Sequence, residues 1–256
     1  MSDEQDYEAI IALFKSEEEV NHELGFQLLE SIGPSPNPVL ANLLSLRPAY
    51  LWRCMANGWQ ELLDLITQLD YQYQFLPQLP DNFIDLKQLQ ECSISHCHLT
   101  KIPVDIYQLK KLRRLILNYN PIEVIPETIG QLQKLTELSL VGSNLKEFPA
   151  CILELSNLEI LSLIDNDITS FPRGLLRLRE LKKLILRNNQ LTEIPIELCW
   201  LEHLEILDLS ENQLTRLPNS LTALRNLKIL YLSHNPLKKS EQEKIRNILP
   251  NTVVYI

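Results

Sequence analysis

Leucine and other aliphatic residues recur along most of the chain with a period of 23 residues. Segments of the form L-x-x-L-x-L-x-x-N-x-L follow one another without insertion and begin at Leu89, Leu112, Leu135, Leu158, Leu181, Leu204 and Leu227. A proline follows in the same register at Pro80, Pro103, Pro126, Pro149, Pro172, Pro195 and Pro218. Pro80 extends the register back to a degenerate unit that starts at Ile66. A fixed period of this length is the signature of a solenoid of stacked repeats.

Each unit predicts one short strand and a return to the next strand. The central x-L-x-L alternates apolar and variable positions with a period of two, which is typical of a β-strand. Stacking the units places these strands in a parallel sheet with a spacing of about 4.8 Å. The leucines of all units then share one continuous core, which no single unit buries alone.

An Asn stands in most units at the bend where the predicted strand ends. Its side chain both donates and accepts hydrogen bonds, so it can satisfy buried backbone groups of neighbouring units. We therefore predict a structural role for this column, which comprises Asn120, Asn166, Asn189, Asn212 and Asn235. Cys97 and Ser143 replace Asn in two units, and Gln74 marks the degenerate first unit. Because Ser is shorter than Asn, we expect a looser bend or a bridging water at Ser143.

This pattern resembles the leucine-rich repeat family in its 23-residue form, as found in intracellular Ras-associated repeat proteins and in bacterial cytoplasmic relatives. The resemblance covers about residues 66–256. It implies an α/β repeat fold: a leucine-rich repeat solenoid with a curved parallel β-sheet and short helical or 3-10 returns. It also makes a small-GTPase-linked signalling scaffold one conceivable function.

Helical segments flank the repeats, and we predict that they cap a core that would otherwise face water at both ends. A first helix has an apolar face of Tyr7, Ile10, Ile11 and Phe14. Ser16 and Glu19 match a capping box that opens a second helix, with apolar residues at Leu24, Leu28 and Leu29. We predict an α-helical N-terminal cap at 1–65, the solenoid at 66–238, and a C-terminal cap helix with a closing strand at 239–256.

Composition limits the partners that the protein can have. It has 24 Lys+Arg and 33 Asp+Glu, a formal net charge of −9, and residues 1–31 hold nine of these acids with one base, Lys15. This balance argues against a phosphate-backbone ligand, and no apolar run reaches the roughly 18 residues of a membrane span. The chain shows no secretory signal and has an odd number of cysteines. We therefore predict a cytoplasmic monomer with no nucleic-acid or membrane partner.

The residues Cys92, His96, Cys97 and His98 are the one place where metal-ligating types crowd together. The repeat register places the two cysteines inside and the two histidines outside. Four ligands around one metal ion therefore cannot converge. We predict no metal site and no cofactor.

The sequence also lacks the arrangement of a catalytic centre. His22, His203 and His234 fall on different elements with no Ser or Cys nucleophile in step, and the few glycines form no phosphate-binding loop. Cys151 and Cys199 occupy variable positions of the returns, where we expect ordinary thiols. The chain is therefore predicted not to be an enzyme.

The variable strand positions point to the concave face of such a solenoid and form columns across the units. Aliphatic residues gather there in the last four units, although core packing does not require them. We predict a protein-binding surface of Arg114, Ile116, Tyr119, Val141, Ile160, Ile164, Asp165, Lys183, Ile185, Arg187, Ile206, Asp208, Ile229 and Tyr231. An aliphatic cluster with a charged rim is typical of protein interfaces, although β-branched residues also favour strands in general.

Three other functions stay open at this point. The acidic helical cap favours a regulatory or effector protein that acts through the cap. A secreted effector without a recognisable signal and a hydrolase without a recognisable motif are the other two. The preferred hypothesis is a non-enzymatic module that binds a polypeptide on the concave face.

Overall fold

The computed structural model describes residues 2–256, and all of its strands form one open parallel sheet. The strands are β1 Gln68–Gln72, β2 Glu91–Ser95, β3 Arg114–Ile116, β4 Glu137–Ser139, β5 Ile160–Ser162, β6 Lys183–Ile185, β7 Ile206–Asp208, β8 Ile229–Tyr231 and β9 Val253–Tyr255. Each strand pairs with the next along the chain, from β1 to β9. The predicted α/β solenoid with a parallel sheet and an N-terminal helical cap is confirmed.

Helices occupy the two ends of the chain, and short 3-10 helices return it between strands. The α-helices are α1 Ser2–Lys15, α2 Glu19–Ile32, α3 Pro38–Ser45, α4 Pro48–Ala56, α5 Gln60–Leu63 and α6 Lys239–Ile248. The 3-10 helices are Asp81–Asp85, Val104–Gln108, Glu127–Gln131, Ala150–Glu154, Leu175–Arg177, Ile196–Trp200 and Asn219–Ala223. Within residues 2–256, no helix has the length and apolar character needed to cross a bilayer.

The sequence period sets the sheet register. Leu115 lies opposite Leu138, and the same spacing continues through Leu161 and Leu184 along the sheet. These central strand leucines are all fully buried. On the opposite side of the core, each 3-10 return contributes a buried apolar residue, such as Phe83 or Ile129. One continuous core therefore runs between sheet and returns.

The Asn side chains join each bend to the preceding unit. Asn189 Oδ1 accepts a hydrogen bond from Ile168 N at 3.0 Å. Its Nδ2 donates to the carbonyl oxygens of Leu163 at 2.9 Å and Leu186 at 3.1 Å. Equivalent bonds recur at Asn120, Asn166, Asn212 and Asn235. The column thus satisfies backbone groups of two units at once, as its chemistry requires.

The two substitutions in the Asn column have different consequences. Cys97 Sγ donates to the carbonyl oxygens of Tyr71 at 3.4 Å and Ser95 at 3.2 Å, so it keeps part of the donor role. Ser143 Oγ is buried and has no hydrogen-bond partner among the described residues. The Oδ1 of an Asn at position 143 would accept a hydrogen bond from Ile122 N, as the other Asn residues do from the equivalent N–H. Ile122 N donates instead to the carbonyl oxygen of Asn120 at 2.7 Å. Ser143 therefore makes no side-chain link to the preceding unit, and Asn118 of that unit supplies one instead, because its Oδ1 accepts a hydrogen bond from Val141 N at 3.0 Å.

The helical segment packs on the first repeat through Trp52 of α4. The Trp52 ring meets Tyr71 edge to face at a centroid distance of 6.0 Å, and it meets Phe83 in the same way at 6.3 Å. Tyr71 is only 2% exposed as a result. The last cap helix ends at Leu63 and β1 begins at Gln68, which agrees with a boundary near residue 65. We propose a helical cap at 1–65, a solenoid at 66–238 and a C-terminal cap at 239–256.

The start of α2 differs from the sequence prediction, and the capping box is wrong. The helix begins at Glu19, and its N-cap residue Glu18 makes no side-chain capping bond. Ser16 Oγ instead accepts hydrogen bonds from Glu18 N at 3.2 Å and Asn21 Nδ2 at 2.8 Å. Two residues separate Ser16 from the helix, so its hydroxyl orders the preceding turn.

The buried face of α2 also differs from the one that its leucines suggested. The buried residues are His22, Gly25, Phe26 and Leu29, whereas Leu24 and Leu28 are 46% and 40% exposed. Gly25 explains this orientation, because a Cβ there would lie 3.2 Å from Leu13 Cβ. The glycine allows α1 to approach closely, and this contact turns the two leucines outward.

We expect Asn189→Ala to lower the free energy of unfolding by about 1–3 kcal/mol, because it leaves buried backbone groups without partners. The exposed neighbour Asn188 is the control, and it has a φ of 52°. The control variant is therefore Asn188→Gly, since glycine tolerates positive φ and alanine does not. Chemical denaturation of both variants tests the prediction. An equal loss in the two would show that the Asn column is not the structural link.

Candidate functional site

The strand side chains that point away from the core form two columns on the open face of the sheet, on either side of the buried central leucines. The strand register aligns the first column as Glu91, Arg114, Glu137, Ile160, Lys183, Ile206 and Ile229. The second column is Ser93, Ile116, Ser139, Ser162, Ile185, Asp208 and Tyr231. The open face is therefore a regular grid in which each residue has neighbours from the adjacent strands.

Five isoleucines lie close together on the open face. Four of them stand in strands β5 to β8, and the fifth follows β5. They are Ile160, Ile164, Ile185, Ile206 and Ile229, and all are half-buried. We call this set the isoleucine cluster. Ile116 is also half-buried, but Ser139 and Ser162 separate it from Ile185 in its column. The structure thus brings five of the predicted aliphatic residues together and leaves Ile116 apart.

Val141 does not belong to this surface, and its predicted exposure is wrong. It is only 7% exposed. Its N–H donates to Asn118 Oδ1 at 3.0 Å, and its carbonyl oxygen accepts from Tyr119 N at 2.6 Å. The residue lies where the chain leaves β4, and the bend there is closed by Asn118 rather than open to solvent.

Most charged groups on the open face pair with a neighbouring unit. Arg114 Nε lies 3.0 Å from Glu137 Oε2, and Arg187 Nη2 lies 2.6 Å from Glu211 Oε1. The bond to Glu211 raises the pKa of Arg187 above its ordinary value. Because these pairs are exposed to solvent, each contributes little to stability.

Lys183 is a different case because it stands inside the isoleucine cluster. In its column it lies between Ile160 and Ile206. Among the described residues it forms no ion pair. Asp208 lies beside Ile185 in the second column, and Asp165 follows β5. Their carboxylates accept hydrogen bonds from Ser210 N at 3.0 Å and from Asn188 Nδ2 at 2.9 Å, respectively. A cation flanked by two isoleucines and without an ion pair among the described residues is available to an incoming carboxylate.

Three aromatic rings stack along the edge of the open face near the helical cap. The ring of His96 lies between Tyr73 and Tyr119, at centroid distances of 4.6 Å and 4.4 Å. All three residues have φ between 54° and 57°, a conformation that is costly for tyrosine. The rings border a cleft of about 490 Å³ that Asp70 and Arg114 also line.

The predicted binding surface included Tyr119 but not this stack of three rings. The 23-residue period could have revealed the stack, because successive equivalent positions 73, 96 and 119 carry Tyr, His and Tyr. The next position is Gly142, and a Cβ there would lie 2.6 Å from Tyr119 Cδ1. Glycine therefore leaves room for the last ring. A similar pair, Tyr231 and Tyr255, stacks at 4.8 Å near the other end of the sheet.

The cysteines are buried and make no disulfide bond. Burial raises the pKa of Cys92 and Cys54 to about 12, and that of Cys151 to about 11. Burial also raises the pKa of Cys97 and Cys199. Such thiols stay protonated near neutral pH and are poor nucleophiles. In the part of the chain that the structure describes, no group of three or more His, Cys, Asp or Glu residues is placed to hold a metal ion.

Comparison with protein families gives two matching models. The first, described as leucine rich repeat, matches residues 87–145 and 179–237, and the second, with the same description, matches residues 226–251. Together they cover just over half of the chain. A search of curated proteins gave no match.

Several solved structures are similar to this chain. A leucine-rich repeat protein of Leptospira interrogans has 31% identity and a TM-score of 0.68; the match covers 78% of this chain and 57% of that one. Internalin C2 of Listeria monocytogenes has 25% identity and a TM-score of 0.67, with coverage of 77% and 82%. The third is the ectodomain of the Arabidopsis thaliana receptor kinase GASSHO1/SCHENGEN3 in complex with CASPARIAN STRIP INTEGRITY FACTOR 2. It has 25% identity, a TM-score of 0.52, and coverage of 62% and 23%.

We expect Gly142→Ala to destabilise the protein more than Gly58→Ala, by about 1–3 kcal/mol. Both glycines have positive φ, but a Cβ at Gly58 has nothing within 4 Å, whereas one at Gly142 meets the Tyr119 ring. Denaturant melts measure the difference, and Tyr119→Ala should remove most of it. The same loss in both glycine variants would mean that only backbone strain matters.

We expect the native protein to react slowly with a thiol reagent at pH 8, because burial keeps its thiols protonated. The same protein in denaturant should react at all five cysteines. Absorbance of the released chromophore measures both rates. Rapid reaction of one cysteine in the native protein would identify an activated thiol and reopen the enzyme hypothesis.

Proposed function

Because the chain belongs to the leucine-rich repeat family, we propose that it is a non-enzymatic module that holds a polypeptide on the open, concave face of its sheet. The isoleucine cluster is the observation that carries this proposal. Its side chains point away from the core, and the fold does not require apolar residues at these positions. Aliphatic residues gathered on such a face are typical of protein interfaces.

The cluster also has the electrostatic features of a specific interface. Lys183 has no ion pair among the described residues and lies between Ile160 and Ile206. A partner that covers the cluster with apolar side chains and places a carboxylate over Lys183 satisfies both features. The pairs at Arg114 and Arg187 are already neutralised, so they orient the partner more than they add affinity.

The comparisons support the class of partner. The leucine-rich repeat ectodomain of the Arabidopsis receptor was solved in complex with CASPARIAN STRIP INTEGRITY FACTOR 2. This chain spans only 57% of the Leptospira protein, so the activity of that longer protein is not transferred to it. The small-GTPase alternative stays a hypothesis because it rests on family resemblance alone. Free thiols at all five cysteines fit the proposed reducing, cytoplasmic location.

The double variant Ile164→Asp, Ile206→Asp tests the proposed surface. Both side chains are half-buried on the open face, so we expect a folded protein that no longer captures its partner from a native lysate. Charged or truncated anchors at the centre of an interface cost about 2 kcal/mol or more each, which is about 30-fold in affinity. Quantitative mass spectrometry of the captured proteins measures the loss.

A matched control places the same charges on the returns. Leu176 and Ile196 are 36% and 49% exposed, so Leu176→Asp, Ile196→Asp should retain the partner. If the open-face variant retains the same partner while folded, the binding site lies elsewhere. If it melts far below the control, the isoleucines belong to the core.

A further inference from the structure

Helix α2 has a second apolar face that the fold does not use. Val20, Leu24, Leu28 and Ile32 are 77%, 46%, 40% and 45% exposed. We call these four residues the α2 stripe. Spacing by four residues aligns them along one side of the helix over about 18 Å. Single exposed leucines are common on protein surfaces, but a contiguous apolar stripe marks an interaction site.

The inward face of α2 is complete without the stripe. Phe26 stacks on Tyr50 at 5.3 Å and on Trp59 at 5.4 Å, and its ring also lies 4.1 Å from the Arg53 guanidinium carbon. Leu29 is fully buried beside it. Polar residues at the stripe positions would therefore leave the packing of the cap intact, and apolar residues there require another explanation.

A cleft opens beside the N-terminal end of the stripe. Its volume is about 880 Å³, and it lies between α2, α4 and the residues that follow β1. Val20 is at its rim, together with Leu46 and Phe75, which are 57% and 77% exposed. An apolar side chain at one end of a bound helix has a place to insert here, as anchor residues do at interface pockets.

The charge around the stripe selects among possible occupants. Residues 1–31 hold nine acids and one base. Arg53 pairs with Glu23 and Glu30, whereas Glu17 and Glu19 form no ion pair among the described residues. A second copy of this chain docked through the same stripe would oppose two acidic helices. A basic partner is attracted instead.

We propose that the α2 stripe docks a basic amphipathic helix of a partner protein. An apolar helix face in contact with a stripe of i, i+4 residues is a common mode of recognition. The acidic residues beside the stripe then face the basic side of the incoming helix. This site is separate from the isoleucine cluster, so it does not depend on the proposed function of the open face.

The test uses a fluorescein-labelled amphipathic helical peptide made of Leu and Lys, with fluorescence anisotropy at physiological ionic strength. We expect saturable binding to the full chain. Leu24→Ser, Leu28→Ser removes two apolar contacts and should weaken binding about tenfold or more. Val104→Ser, Val124→Ser removes two valines from the returns that are 65% and 76% exposed and should leave binding unchanged. A peptide with Glu in place of Lys should bind about tenfold more weakly.

A second variant protects the test against a folding defect. Val20 is 77% exposed, so Val20→Lys should keep the melting temperature and still weaken binding of the basic peptide. Unchanged binding of the basic peptide to the folded stripe variants would show that charge alone attracts the peptide. Equal affinity for the Glu peptide and the Lys peptide would show that charge does not select the partner. Stripe-dependent dimerisation in sedimentation, or stripe-dependent binding to phosphatidylcholine vesicles, would give the stripe another occupant. Each of these results overturns the proposal.

Discussion

The stacking of the repeats depends on satisfying the backbone at the bend that ends each strand. The bend is buried between two units, so its N–H and carbonyl groups cannot bond to water, and an unpaired group there costs about 1–3 kcal/mol. Asn189 and its equivalents supply the missing donors and acceptor from a side chain. The side chain reaches the preceding unit only if successive units have the same length, which ties the hydrogen bonding to the 23-residue period.

A constant period has a further consequence for the open face of the sheet. Because the core constrains only alternate strand positions, the outward positions are free to vary without loss of the fold. Properties that accumulate there are therefore not imposed by core packing. The isoleucine cluster, with Lys183 inside it, and the Tyr73, His96 and Tyr119 stack are two such accumulations on one grid.

The repeat made much of the fold predictable from sequence, because the same local pattern recurs and each copy confirms the others. The burial of individual side chains was harder to predict, both within the repeats and in the helical cap. Val141 looks like a surface aliphatic, but a hydrogen bond from its own N–H to Asn118 draws it inward. Leu24 and Leu28 look like core residues, but Gly25 lets α1 approach and turns them to solvent. Such outcomes depend on tertiary contacts that periodicity alone does not encode.

The two proposed surfaces lie on a cap and a solenoid that share one hydrophobic core. Trp52 packs against both Tyr71 and Phe83, so α4 is anchored to the first unit rather than tethered by a flexible linker. When one partner can reach both surfaces, binding at the first surface raises its effective concentration at the second. When the partner cannot span the two surfaces, this gain is lost. The acidic cap and the isoleucine cluster also differ in chemistry, so they select different segments. On the two proposals taken together, the matching partner carries a basic helix and a separate apolar, acidic segment.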